Sequence, residues 1–180
     1  MLARTGGAVG DAQGLTLFDI DADRARLTRT AKRTVDERDH AQLDFDGVEA
    51  TGDDIVGEVD GGMAAIATAL NAGRAALSAE LLGVSAGAFG MTTAYLKERK
   101  QFGRPIAEFQ GLQWMLVDMG TGIEAARLLI LKAAASAEEE GSGGFPDIPL
   151  AARAKIMASE TAIEVTNAAL QVFGAAGYSR

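Results

Sequence analysis

The sequence predicts a mainly α-helical protein: an incomplete up-and-down four-helix bundle of three long helices, preceded by a few antiparallel β-strands. From residue 61 onward the apolar residues follow helical spacing, whereas the runs before it are short and alternate as strands do. A Gly-rich loop at 140–149 separates the last two helical stretches. We therefore divide the chain into a partial β-domain at 1–58 and an incomplete helical bundle at 59–180.

Three short runs in the first domain are typical of β-strands. Four of the six residues in the run 15–20 are apolar, 27–35 is rich in Thr and Arg as expected of a strand with one solvated face, and 41–45 alternates apolar and polar residues. Asp46-Gly47 then indicates a tight turn. These strands are too few for a barrel or sandwich, so we expect their edges to need partners.

The second domain begins with a helix predicted from near Gly62 to Lys100, dense in small residues that favour close helix packing. A second helix, at about 106–138, carries apolar residues at the 3-4-3-4 spacing of a bundle seam. The seam positions are Phe109, Leu112, Leu116, Met119, Ile123, Ala126, Ile130 and Ala133. A third helix, at about 149–173, ends at Gly174. Three helices leave one side of a four-helix bundle unfilled, so we expect a homo-oligomer.

Composition excludes several classes of function. Seventeen basic against twenty-five acidic residues argue against general nucleic-acid binding. The chain has no cysteine and a single histidine, His40, which excludes thiolate catalysis and metal sites built on two imidazoles. We find no apolar run of membrane-span length and no signal-peptide core, and therefore expect a cytoplasmic protein.

The segment 97–104 concentrates four cations and one carboxylate in a chain of net charge -8. Cations beside the flexible Gly103 form a candidate anion site at a helix-to-helix turn. The simpler interpretation is a solvated helix end whose cations complement the helix dipole. Spacing alone favours the simpler interpretation, and the segment 171–178 taken alone is a glycine helix cap.

Together, the two segments resemble the acyl-CoA dehydrogenase family. A further likeness to the family covers Ala69-Leu70-Asn71-Ala72-Gly73-Arg74 and the strand runs. All these stretches follow one another in the family's order, and together they cover nearly the whole chain. The matching words are Glu98-Arg99-Lys100-Gln101-Phe102-Gly103-Arg104-Pro105-Ile106, Phe109-Gln110, Gln171-Val172-Phe173-Gly174 and Gly177-Tyr178.

The resemblance implies an FAD enzyme that oxidises acyl-CoA thioesters to 2-enoyl-CoA. An α-proton leaves to a base, a β-hydride passes to flavin N5, and the electrons go on to an electron-transfer flavoprotein. It also implies that two segments contact the FAD of an adjacent subunit. Their residues are Arg99, Gln101, Phe102, Gln171, Phe173, Gly174 and Ala175, the last standing where a glycine is common. Arg74 and Asn71 match positions near the acyl-CoA substrate, and Asn71 replaces an aspartate often found there.

We assign no catalytic residue and no metal ligand to this chain. The family's usual glutamate base lies beyond the position of Tyr178, and the alternative base position is occupied here by Gly73. We therefore expect an internal piece of a dehydrogenase that neither turns over acyl-CoA nor holds FAD tightly by itself. Two alternatives remain open: an acyl-CoA oxidase or flavin monooxygenase on the same scaffold, and a non-catalytic helical oligomerisation module.

Overall fold

A computed structural model describes residues 1–179 and confirms a mainly helical chain with three long helices after a few antiparallel strands. The first part holds five strands: β1 (Leu2–Arg4), β2 (Leu15–Phe18), β3 (Leu27–Arg33), β4 (Asp39–Phe45) and β5 (Ile55–Val56). Helix α1 (Gly62–Glu98) follows. The rest comprises β6 (Lys100–Gln101), β7 (Arg104–Pro105), α2 (Gln110–Ala135) and α3 (Ile148–Phe173).

The chain forms two units, Met1–Ala67 and Thr68–Arg180. The start of α1 therefore belongs with the strands, beyond the boundary after residue 58 that the sequence predicts. The reason is that the backbone of α1 approaches that of β2 closely at Gly62. A Cβ added there would lie 2.8 Å from Leu17 N and 2.9 Å from Leu15 O. Glycine is the residue that permits this approach.

The strand unit contains two separate antiparallel arrangements. Strands β1, β2 and β5 form one sheet in the order β1-β2-β5, while β3 pairs only with β4 in a ladder from Leu27↔Phe45 to Arg33↔Asp39. All three predicted strand runs are present. Strands β1 and β5 have three and two residues, too short to show alternation in the sequence.

A partly buried ion pair links residues of the strand unit near its end. Arg24 Nη2 lies 2.6 Å from Asp54 Oδ1, and the Thr51 backbone N–H also donates to this carboxylate. The Arg24 hydrogen bond, followed by that of Thr51, holds the pKa of Asp54 well below its usual range. The pair joins residues on either side of the β3–β4 hairpin.

The core of the helical unit lies where α2 and α3 pack together. Met119 and Ile123 of α2 meet Val165 and Ala169 of α3, and three α1 residues pack against this cluster: Leu82, Ala88 and Phe89. Met119, Ile123, Ala126 and Ala133 of the predicted seam are buried. The seam prediction is confirmed at these positions.

Two stripes of seven-residue spacing run along α1. One is buried and polar, and its three hydroxyls donate to the carbonyl four residues earlier: Asn71, Ser78, Ser85 and Thr92. The other is apolar and exposed: Met63, Leu70, Leu77, Val84 and Met91. The exposed stripe agrees with the unfilled bundle side that the sequence predicts.

Within residues 1–179, α1 is the one helix with the length and composition of a membrane span. An 18-residue window reaches a mean hydropathy of 1.2, and 17% of it is buried. This corrects the expectation that the sequence contains no run of that kind. Length and composition are weak evidence for a span, because the core helix of a soluble bundle has the same properties.

Candidate functional site

The cationic segment forms a short β-hairpin at the end of α1. The Arg99 N–H still donates to Tyr95 O, at 2.8 Å, and the strands then pair as Lys100↔Pro105 and Gln101↔Arg104. The two turn residues, Phe102 and Gly103, have φ values of 54° and 82°. Left-handed conformation at both positions is that of a type I′ turn, which follows the twist of paired strands. The sequence predicts a turn here but not the paired strands.

Phe102 stands at the tip of this hairpin. Its side chain is 91% exposed, and its ring meets the Phe109 ring edge-on at 6.1 Å between centroids. A phenylalanine in left-handed conformation is strained, and such strain is found most often at functional positions. The turn therefore presents an aromatic ring to solvent or to a ligand.

The cations of the hairpin differ in their surroundings. The Arg104 guanidinium lies 4.2 Å from the centre of the Phe109 ring and 4.0 Å from the Glu108 carboxylate. The exposed Arg99 guanidinium has no hydrogen bond or ion pair with any residue in 1–179. Arg99 is therefore the arginine with donors available for an anion.

The second predicted segment lies at the end of α3. Gly174 ends the helix with φ 57° and ψ -134°, and its N–H donates to Gln171 O. A short 3₁₀ turn, Gly174–Gly177, follows. Gln171, Gly174 and Ala175 are exposed, and Phe173 is half-buried.

The two segments are joined by an aromatic stack. The rings of Tyr95 and Phe173 lie 4.4 Å apart between centroids, at an interplanar angle of 20°. Since Arg99 follows Tyr95 by one helical turn and Gly174 follows Phe173 directly, both segments lie at the same end of the helical unit. The structure thus brings together the residues to which the resemblance assigns FAD.

Asn71 and Arg74 lie apart from that end. Arg74 lies on α1, roughly 36 Å before the last residue of that helix, Glu98, at 1.5 Å per residue. Asn71 is buried, and its Nδ2 donates to Pro146 O in the loop before α3. Arg74 is half-buried, and within 1–179 its guanidinium has no hydrogen bond or ion pair.

The alternative position of the catalytic base on α1 is occupied by Gly73. Gly73 carries no side chain, and open space lies where its Cβ would be. Across 1–179, no three or more His, Asp or Glu side chains are grouped so that they could hold a metal ion.

Sequence reasoning missed the part played by Arg104 and Phe109. The Arg104 guanidinium lies over the Phe109 ring, and Phe109 is the residue directly before α2 begins at Gln110. Two sequence features could have predicted this contact: the Phe102-Gly103 turn, and an aromatic residue five positions after Arg104.

Comparison with known proteins assigns the family. The model of "Acyl-CoA dehydrogenase, C-terminal domain" matches residues 60–180. The chain is 50% identical over 143 residues to a 3-sulfinopropanoyl-CoA desulfinase of Paraburkholderia xenovorans, covering 78% of this chain and 36% of that protein. It is 40% identical over 185 residues to a short-chain-specific acyl-CoA dehydrogenase of Clostridium acetobutylicum, covering 100% of this chain and 46% of that protein.

The fold comparison agrees. The structure of butyryl-CoA dehydrogenase from Megasphaera elsdenii matches with a TM-score of 0.85 and 33% identity, over 99% of this chain and 46% of that one. The chain spans less than half the length of each of these three relatives. The family model and the helical fold lead to one conclusion: this chain belongs to the acyl-CoA dehydrogenase family.

Proposed function

We propose that this chain supplies part of the FAD site and part of the acyl-CoA site of a flavoenzyme that transforms acyl-CoA thioesters. The observation that carries the proposal is the placement of the 99–102 hairpin beside the 171–175 segment through the Tyr95–Phe173 stack. Two segments distant in sequence thereby form one surface, with an unpaired arginine and exposed backbone.

The chemistry of this surface suits the phosphate side of FAD. A guanidinium binds a pyrophosphate through two parallel charge-assisted hydrogen bonds, and Arg99 has its donors available. Gln101 and Gln171 add neutral donors and acceptors. Gly174 has no Cβ, which allows the cofactor to approach its backbone. When bound, FAD supplies a two-electron acceptor.

The first candidate reaction is oxidation of an acyl-CoA to a 2-enoyl-CoA. The substrate loses a proton from Cα and a hydride from Cβ, so the reaction consumes an electron acceptor. Electron-transfer flavoprotein is the proposed partner for that step, as the resemblance implies. Within this chain, Arg74 is the residue proposed to bind the acyl-CoA.

The second candidate reaction is removal of a sulfinate group from a 3-sulfinoacyl-CoA. The observation that favours it is the 50% identity to a desulfinase, against 40% to the short-chain dehydrogenase. The C–S bond breaks, water supplies the hydrogen that replaces sulfur on carbon, and sulfite leaves. This reaction is balanced without an external electron acceptor.

One pair of assays on the protein in its natural full length, loaded with FAD, separates the candidates. Butyryl-CoA with a dye acceptor tests oxidation, and 3-sulfinopropanoyl-CoA with sulfite detection tests desulfination. Dye reduction with butyryl-CoA supports the first reaction. Sulfite release in the absence of dye supports the second. A flavin-loaded protein that does neither would contradict the proposed function and favour a non-catalytic module.

Self-association is also part of the proposal. The exposed apolar stripe of α1 is accompanied by exposed apolar residues on the other two helices: Trp114, Val117, Leu128, Leu131, Ile156 and Ile163. Apolar surface of this extent is stabilised when a partner covers it. We propose a homo-oligomer in the cytoplasm.

A further inference from the structure

The tip of the β6–β7 hairpin depends on contacts from outside the turn. Phe102 has a φ of 54°, a left-handed conformation that is strained for a bulky side chain. The ladder below it has only two residue pairs, Lys100↔Pro105 and Gln101↔Arg104, and proline has no N–H to donate. A two-stranded hairpin of this length is not stable alone in water. Side chains beyond the turn must therefore hold Phe102 in place.

Phe109 provides the first of these contacts from a fixed position. Its carbonyl accepts hydrogen bonds from Leu112 N at 3.0 Å and Gln113 N at 3.2 Å, so the residue is anchored to the first turn of α2. Its ring meets the Phe102 ring edge-on, with 6.1 Å between centroids. Aromatic pairs favour this arrangement at this separation. The tip of the hairpin is thus supported by the start of α2.

Arg104 provides the second contact, with the same ring. Its guanidinium carbon lies 4.2 Å from the centre of the Phe109 ring, where the ring attracts a cation. The Glu108 carboxylate is 4.0 Å away, but both side chains are about half exposed, and such an ion pair contributes little. Since Arg104 is paired with Gln101 in the ladder, its contact with Phe109 fixes the hairpin relative to α2.

The supported ring suits one part of the proposed cofactor. Phe102 is 91% exposed and follows Arg99, the arginine proposed to bind the pyrophosphate of FAD, by three residues. The adenosine of FAD is attached to that pyrophosphate, and a flat base stacks on an exposed aromatic side chain. Binding is tighter when such a ring is already held in its bound direction, because less conformational entropy is lost.

We propose that Arg104 is a positioning residue for FAD: through the Phe109 ring it holds Phe102 in the direction that meets the adenine. This inference rests on the proposed FAD site. Arg104 acts through the two aromatic rings and not on the phosphates, because its guanidinium already lies against the Phe109 ring and beside the Glu108 carboxylate.

A double-mutant cycle tests this route of action. FAD is titrated into the full-length apoprotein of wild type, Arg104→Met, Phe102→Ala and the double variant. Methionine keeps an apolar stem at position 104 and removes the guanidinium. Glu108→Gln is the matched control, because it removes the ion pair of Arg104 and leaves the ring contact. Arg99→Ala tests the proposed site itself.

We expect Phe102→Ala to raise the dissociation constant of FAD about tenfold, the effect of losing one base stack. Arg104→Met alone should raise it about three- to fivefold, as expected for one exposed cation–π contact. In the Phe102→Ala background, Arg104→Met should change it by less than about twofold, since the ring that Arg104 positions is gone. Glu108→Gln should stay within about twofold of wild type. A merely structural role for Arg104 would not disappear in the Phe102→Ala background.

Three results would overturn the inference. Arg104→Met binds FAD as wild type does, or it loses the same factor in both backgrounds, which would mean that Arg104 acts directly on FAD or on stability. In the third result, Phe102→Ala binds normally while Arg99→Ala binds weakly, which removes the role of Phe102 and leaves the proposed FAD site. Normal binding by both Phe102→Ala and Arg99→Ala would instead contradict the proposed site as well.

Discussion

Tyr95 and Phe173 stack with their ring centroids 4.4 Å apart and join the last turn of α1 to the last turn of α3. The contact lies one turn before Arg99 and one residue before Gly174. It therefore determines how far apart the hairpin and the glycine turn can lie. In this family member the proposed cofactor surface depends on a packing contact between two aromatic residues.

The first prediction concerns that stack. Replacing Tyr95 with Leu should cost about 1 kcal/mol of unfolding free energy, the amount that an aromatic pair adds beyond its burial. It should also weaken FAD binding, because the two segments lose their fixed separation. Urea unfolding and flavin titration of the full-length protein measure the two effects. Phe45→Leu, at an exposed position on β4, is the control; an equal loss of flavin affinity there would contradict the account.

The second prediction concerns the Arg24–Asp54 pair and pH. The pKa of Asp54 is lowered in the folded state, first by its hydrogen bond to Arg24, so the unfolded state binds this proton more tightly. The pair's contribution is therefore complete above the unfolded pKa of about 3.9 and is lost as the pH falls toward the lower folded-state pKa. Thermal unfolding followed between pH 7 and pH 2 should show this loss in wild type.

Asp54→Asn is the matched variant for this measurement. Its melting temperature should be lower than that of wild type at pH 7, and the difference should shrink below about pH 4 as the wild-type carboxylate becomes protonated. A difference that stays constant from pH 7 to pH 2 would show that the ion pair does not contribute as described.

The third prediction concerns the glycines of α1. An added Cβ would meet nothing within 4 Å at Gly83 or Gly87. Alanine at either position should stabilise the 180-residue chain by about 0.5–1 kcal/mol, because glycine is costly inside a helix. Gly62→Ala should do the opposite, since its Cβ would lie 2.8 Å from Leu17 N. Denaturant unfolding of the three variants measures whether each change raises or lowers the unfolding free energy. Destabilisation by Gly83→Ala would contradict the open space around this position.

The sequence predicted the helices well because their periodicity is long and regular. The 3-4-3-4 spacing from Phe109 to Ala133 identified the α2 seam, and Asp147 before Pro149 marked the start of α3. The small strands β1 and β5 could not be predicted, since their two or three residues are held by neighbouring strands and carry no periodicity of their own.

The candidate site was predictable in part. Residue types and family likeness indicated Arg99 and the 171–175 segment, and the structure brings the two together. The Tyr95–Phe173 contact that does so depends on the packing of α1 against α3, and local pattern does not contain that information. The Asn71–Pro146 hydrogen bond could not be predicted either, because it joins residues 75 positions apart in the sequence.

The central claim, that the Arg99 hairpin forms part of an FAD site, is tested most directly by titrating FAD into the full-length apoprotein and its Arg99→Ala variant. Loss of charge-assisted hydrogen bonds worth about 1.5–3 kcal/mol predicts a dissociation constant roughly ten to a hundred times higher. Lys97→Ala, which removes an exposed cation two residues before Arg99, should bind FAD as wild type does. Equal affinity of wild type and Arg99→Ala would contradict the claim.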